Sequence, residues 1–333
     1  MQAIDGIAYV ATLITTYTVT PLIASYMKRR GHEGIDAHKP TKPRVPTSCG
    51  LGIIVGMLVG ACLLSVLEPS LRLKIMVFIS SVLIAAAVGL VDDFVVLGGT
   101  IKTALTVLAI APIVLSAYAY PEVIVLGRPE IPIVGRLRLT IVYWLLLPLA
   151  VAGPANAVNM LDVLNGVMPI TCAMASGALL VSSLLLARED GVLLSALLLV
   201  ALLAYIPYNK YPAKVFSGDV GSLGVGAALG AIAVLSRTEI IAMAALSPHI
   251  MNAFYVIAFV KGLKEHRQIP RPVRVKEDGT IVDSENPKAP ITLVRILVGK
   301  EGAKEPEVVK AIILLEAIAV LIALTMALMM KVM

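Results

Sequence analysis

KIMVFISSVLIAAAVGLVDDF, Lys74–Phe94, carries no charge from Ile75 to Val91 and then meets two adjacent aspartates. A helical run of that length crosses the roughly 30 Å hydrocarbon layer of a bilayer. Comparable apolar runs recur on both sides of it. The composition agrees: 58% of the residues are hydrophobic, 15% are charged and the mean hydropathy is +0.91, against roughly 25% charged in soluble domains. The sequence therefore predicts an all-α polytopic membrane protein. About ten transmembrane helices are expected, near 3–26, 48–67, 74–92, 102–120, 139–157, 167–187, 191–208, 220–236, 240–260 and 310–330. Spans use up most of the 333 residues, which predicts one integral membrane domain over 1–333 with a small β-containing cytosolic loop subdomain at 261–309. Met1–Asp5 has no basic n-region, so the first run reads as an uncleaved span. Cys49, Cys62 and Cys172 lie in or beside apolar segments without metal-ligand spacing and read as packing residues.

The net charge of +6 resolves into topology once the charges are located. Twenty of the 28 Lys and Arg fall in one alternating set of loops, including Lys28–Arg30, Lys39–Arg44, Lys102, Lys210, Lys214 and the long last loop. That bias places this set in the cytosol and both termini outside. It also removes nucleic acid as a partner, because the basic residues mark membrane edges. All the polar clusters fall on the same side. The opposite loops are plain except for Pro121–Leu139, where a small β-hairpin is expected. Such one-sidedness suits an enzyme that takes a polar substrate from the cytosol and a lipid from the bilayer. A secondary transporter of a charged solute is the alternative, but it needs midplane polar groups reachable from both faces.

Four clusters carry the chemistry. In PANAVNMLDVLNGVM, Pro154–Met168, Asn156, Asn159, Asp162 and Asn165 recur at every third position at the end of an apolar segment. Polar groups at that depth face a cavity, a partner or an ion. A helix ending near Gly166 would fan the first three over about 120° of its surface; an asparagine-capped junction between two spans is the plainer reading. Asp92 and Asp93 repel each other unless they are solvated, protonated or neutralised by a cation, and one of them could serve as a general base. Asp219 is the only charge entering the Gly-rich helix of FSGDVGSLGVGAALG, with Lys210 and Lys214 just upstream to meet phosphate. KGLKEHRQIPRP, Lys261–Pro272, sets His266 and Arg267 among further cations. This pattern suits phosphate oxygens, although juxtamembrane basic residues also bind anionic lipid heads. Pro40–Gly50 either lines the site or sets topology. His249 reads as structural. VRVKEDGTIVD, Val273–Asp283, predicts a hairpin turning at Asp278-Gly279, with Ile291–Gly299 as a further strand.

Taken in order, VDDF, NAVNMLDVLNG, FSGDVGSLGVG and EHRQIPRP resemble the polyprenyl-phosphate N-acetylhexosamine-1-phosphate transferases, over nearly the whole chain. The single His266 followed by Arg267 is closer to the dolichyl-phosphate members than to the bacterial peptidoglycan enzymes with their triple histidine. The resemblance implies ten spans and transfer of a sugar-1-phosphate, here GlcNAc-1-phosphate, from a UDP-N-acetylhexosamine to a polyprenyl or dolichyl phosphate, with release of UMP. It implies Mg²⁺, with Mn²⁺ as a substitute, held by Asn159 and Asp219. Asp92, Asp93, Lys102 and Asp219 would be catalytic. Asn156, Asn165, Lys214, His266 and Arg267 would bind substrate. It further implies an integral membrane location (the plasma membrane in a prokaryote), a cytosol-facing site and a homodimer. The family's carboxylate pattern departs at Asn165, where bacterial enzymes carry a second aspartate, and this leaves the role of Asp162 open.

Overall fold

The computed structural model describes residues 5–139, 141–262 and 269–332. The helices follow the apolar runs: α1 (Gly6–Arg29), α2 (Leu51–Leu67), α3 (Arg72–Phe94), α4 and α5 (Gly99–Val107, Ala111–Ala119), α6 (Ile141–Leu161), α7 (Val167–Leu185), α8 (Glu189–Asn209), α9 (Gly218–Ser236), α10 and α11 (Glu239–Ala245, Ser247–Val260), α12 (Leu293–Val298) and α13 (Glu305–Lys331). Among the described residues, eight are long and apolar enough to cross a membrane, counting α4 with α5 as one. The α10–α11 pair passes the same test but bends by 73°, and α2, with 17 residues, is shorter. The chain is a helical integral membrane protein.

α9 is the axis of the bundle, with every residue from Val220 to Ser236 buried. Its small residues let neighbouring backbones approach, which is how helices associate where the solvent is itself apolar. A Cβ on Gly226 would lie 2.5 Å from Ala155 Cα of α6, and one on Gly230 would lie 2.9 Å from Val151 Cα. On the other face, Gly89 of α3 rests against the Asp219–Val220 peptide, where a Cβ would come within 2.6 Å of Val220 N. α9 is thus pressed between the last turns of α3 and α6, and its N-terminus is brought to both. His249, buried on α11, shares a 3.0 Å hydrogen bond with Thr171 of α7, the packing contact expected of it.

The loops sort by end. The hairpin expected outside forms as β3 (Glu130–Ile131) and β4 (Gly135–Arg136). Glu130 ties it down, accepting 2.8 and 2.7 Å bonds from Arg188 and a 2.9 Å bond from Arg136. At the opposite end lie the 30–50 segment, with an unforeseen hairpin of β1 (Glu33–Ile35) and β2 (Arg44–Pro46), and the 162–166 and 210–217 loops. The last loop joins them there. Its β5 (Val273–Val275) and β6 (Thr280–Asp283) pair as expected around Gly279 at φ +82°.

Two expectations need correction. Ile291–Gly299 is not a strand: the third strand is β7 (Ala303–Lys304), and 293–298 forms α12. The β-branched run suggested a strand, yet the Thr292 hydroxyl caps the helix by accepting from Arg295 N at 3.1 Å. Leu293, Val294 and Val298 are then buried together with Val308 and Ile312 of α13, and packing overrides propensity. Gly166 does not end the asparagine helix either. α6 stops at Leu161, and Gly166, at φ +84°, precedes α7. Asp162 and Asn165 therefore stand in a loop.

Candidate active site

The two adjacent aspartates at the end of α3 point different ways, as residues about 100° apart on a helix must. Asp92 turns toward α4. Its Oδ1 accepts from Leu97 N at 2.5 Å, and its Oδ2 lies 3.0 Å from Lys102 Nζ. Lys102 also reaches Asp219 Oδ2 at 2.7 Å, so one buried ammonium bridges the carboxylates of two helices. Asp93 instead turns to α9, where its oxygens accept from Asp219 N at 2.8 Å and Val220 N at 3.3 Å. A carboxylate on these amides satisfies donors that a helix start leaves unpaired. No residue larger than glycine fits at 218, since a Cβ there would lie 2.5 Å from Asp93 Oδ2.

Of the asparagine stretch, Asn159 joins this group. Its Nδ2 donates to Asp219 Oδ1 at 2.9 Å and to Ser222 Oγ at 2.8 Å. Asn156, one turn earlier, is spent tying α6 to α4: its Oδ1 accepts from Thr103 Oγ1 at 3.1 Å and its Nδ2 donates to Ala152 O at 2.8 Å. Asn165 sits at a separate junction, where its Oδ1 accepts from Lys39 Nζ at 2.5 Å and Ala213 N at 2.9 Å. Lys214 is exposed on the rim of a groove of about 500 Å³ shared with Lys28, Asp36 and Arg44, and among the described residues it makes no hydrogen bond to the Asp219 group. His266 and Arg267 lie outside the described residues. Arg271, just beyond them, comes near His38, whose pKa is lowered by burial and, against Asp36, by Arg271 and Lys39.

Asp162 gains a place through the 162–166 loop. Burial, reinforced by Asp219 and Asp93 and opposed by a hydrogen bond with Ser217, pushes its carboxyl up from 3.8 to about 7. The folded chain then holds a proton that the unfolded chain has lost, so stability falls as pH rises through that interval. In the solubilised protein the melting temperature should drop between about pH 5 and about pH 7.5, and Asp162→Asn should flatten the drop. Parallel curves for the two proteins would contradict this assignment.

Sequence reading missed Lys39 and Glu305, which no local pattern marks. Glu305, almost fully buried at the start of α13, accepts from Asn165 N at 2.9 Å and from Lys39 Nζ at 3.3 Å. Lys39 also pairs with Asp36 and lies 4.8 Å from the Tyr211 ring centroid. Four separate segments are locked around one ammonium. Glu305→Gln exchanges an acceptor for a donor against an N–H and an ammonium. It should cost about 1–3 kcal/mol, visible as a lower melting temperature, and an unchanged melt would show that the junction relaxes around it.

The donor set admits a divalent cation of one kind. Among the described residues no three His, Cys, Asp or Glu side chains converge as a ready metal cage. What does converge is Asp219, Asp92 and the Asn159 amide: few, hard, oxygen-bearing ligands that leave positions for water and phosphate. This suits Mg²⁺, which is held by one or two carboxylates together with substrate oxygens.

An apolar bundle that gathers carboxylates, a bridging lysine and amides at one end defines a polytopic membrane protein with a polar site of the phosphate-handling type. The chain belongs to glycosyl transferase family 4, whose family model matches residues 75–237. It is 30% identical over 242 residues, 68% of this chain and 69% of the relative, to a protein of Sulfolobus acidocaldarius provisionally named UDP-N-acetylglucosamine–dolichyl-phosphate N-acetylglucosaminephosphotransferase. A protein of Saccharolobus solfataricus with the same provisional name is 28% identical over 318 residues, covering 92% of each chain. The phospho-N-acetylmuramoyl-pentapeptide-transferase of Halalkalibacterium halodurans is 29% identical over 250 residues, 69% of this chain and 75% of that protein. The matched segment holds Asp92, Asp93, Lys102, Asn159 and Asp219.

Proposed function

We propose that this protein transfers N-acetylglucosamine-1-phosphate from UDP-N-acetylglucosamine to a polyprenyl or dolichyl phosphate, releasing UMP. The site faces the cytosol, Mg²⁺ is required, and ten spans include α2 and the bent α10–α11 pair. The observation that carries the reading is Lys102 bridging Asp92 and Asp219, with Asn159 on the same carboxylate. Family membership and the names of the relatives support the substrate classes. The short Lys- and Arg-rich loops at this end of the bundle support the orientation.

The reaction brings two anions together. A lipid-phosphate oxygen attacks the sugar-bearing phosphorus of the donor, and the bond from that phosphorus to the bridging oxygen breaks, with the electron pair leaving on UMP. The nucleophile is already ionised near neutral pH, so direct attack needs no aspartyl-phosphate. Repulsion is the barrier the chain must lower, and preorganised charge is the usual remedy. Asp92 and Asp219 hold the Lys102 ammonium in the site, where it can move from carboxylate to phosphate as substrate enters. Asp219 and Asn159 would hold Mg²⁺, which when bound would screen the diphosphate and stabilise the leaving UMP. Asp93, spent on the backbone of α9, keeps the start of that helix and its favourable dipole pointed at the anions.

The test is transfer of label from UDP-[³H]GlcNAc to a short polyprenyl phosphate by purified protein, scored by organic extraction. Mg²⁺-dependent label in the lipid phase, equal to UMP released and abolished by EDTA, is expected. No transfer from UDP-GlcNAc, UDP-GalNAc or other UDP-sugars would overturn the reading.

A further inference from the structure

Behind Asp93 runs a second line of hydrogen bonds that leads away from the site. Ser48, fully buried, stands within reach of the Asp93 carboxylate, since a Cβ on Gly218 would meet both, and lies 2.9 Å from His32 Nε2. The direction of the chain follows from elementary bookkeeping. A carboxylate only accepts, so with the single hydroxyl proton of Ser48 directed at Asp93, Oγ accepts from His32 Nε2–H. The backbone fixes the hydroxyl as well. Ser48 has φ +60°, a left-handed conformation rare outside glycine. Its Cα lies 2.7 Å from where a Cβ on Gly218 would stand, so the loop is wedged against the start of α9. The imidazole is held in turn: it stacks on Phe94, with centroids 4.3 Å apart and planes 17° apart. Burial lowers its pKa, and the neutral ring protonated at Nε2 supplies the donor that this arrangement needs.

We propose that His32 is a positioning residue for the transfer. Through the Ser48 hydroxyl it fixes the Asp93 carboxylate on the Asp219 and Val220 amides, and thereby sets where Asp219 stands relative to Lys102. This role rests on the reading that Asp219 works at the reacting phosphates. Loss of a ring that only tethered the 30–50 segment would leave the α9 amides undisturbed.

The test uses the full solubilised chain with His32→Phe, which keeps the stack and loses the donor, His32→Gln, which keeps a donor, Ser48→Ala, and the His32→Phe/Ser48→Ala double variant. His32→Phe should lower kcat by about tenfold, with KM for UDP-GlcNAc held within about twofold, because small displacements at a reacting centre are costly. His32→Gln should recover most of that loss. The double variant should be no slower than Ser48→Ala, since members of one chain of bonds are not additive. Hydrogen exchange at the Asp219 and Val220 amides should quicken in His32→Phe and in Ser48→Ala, and this is readable without turnover. Wild-type turnover and exchange in His32→Phe, no rescue by Gln, or losses that multiply in the double variant would each overturn the proposal. A wild-type protein that transfers nothing would sink the proposed function, and the exchange measurement would then decide this inference alone.

Discussion

Asp219→Ala should abolish transfer, lowering turnover on the order of 10³-fold or more, the scale seen when a preorganised charge is removed from a transition state. Three side chains meet on this carboxylate or beside it: Lys102 at 2.7 Å, Asn159 at 2.9 Å and, through Lys102, Asp92. Truncation would leave the lysine with Asp92 alone and remove the one charged ligand that α9 offers a cation. The variant should therefore also lose any rise in melting temperature that Mg²⁺ with UMP gives the wild type, a readout independent of catalysis. Asp219→Asn, which keeps shape and one oxygen, should retain more of the fold's stability than of its activity. Full Mg²⁺-dependent activity in Asp219→Ala would remove the metal assignment outright.

Gly89→Ala is the second large effect, and its sign is informative. In a helix interior the exchange ordinarily gains up to about 1 kcal/mol. Here the new methyl would meet the Asp219–Val220 peptide, with Val220 N at 2.6 Å, and backbone cannot swing aside. α3 and α9 must separate, an overpacking that costs about 1–3 kcal/mol or more. The shift falls on Asp219 and on the Asp93 cap, so turnover should fall by about 10²-fold. Gly177→Ala on α7, where nothing lies within 4 Å of the new methyl, is the control and should be neutral or stabilising. A melting temperature for Gly89→Ala at or above wild type would mean the two helices repack without strain.

Much of this was open to sequence reading, for a physical reason. A bilayer punishes every unpaired polar group, so apolar runs must be helices, and charges at their ends stand out. Asp92, Asn159 and Asp219 could be singled out because each is a polar residue at the edge of such a run, Lys102 came with the family resemblance, and the structure brings all four together. The hairpins at Pro121–Leu139 and Val273–Asp283 could be read from their turn chemistry and composition, which are local. What local pattern could not decide was direction and partnership. Neighbours in sequence, Asp92 and Asp93 look equivalent until α3 sets one against Lys102 and the other against the backbone of α9.

Asn156 and Asn165 carry the same side chain as Asn159 in the same spacing, yet one ties α6 to Thr103 and the other joins Lys39, Ala213 and Glu305. Ile291–Gly299 looked like a strand because propensity is a weak force, and the buried face it shares with α13 is a stronger one. The sequence by itself determined the apolar helical class of the chain and the polar residues at the ends of its apolar runs, since transfer from water to lipid is a property of each segment. Only the tertiary structure decided which carboxylate meets which lysine, because those contacts join residues such as Lys102 and Asp219 that lie far apart along the chain. Their geometry exists only once the small faces of α3, α6 and α9 have closed on one another.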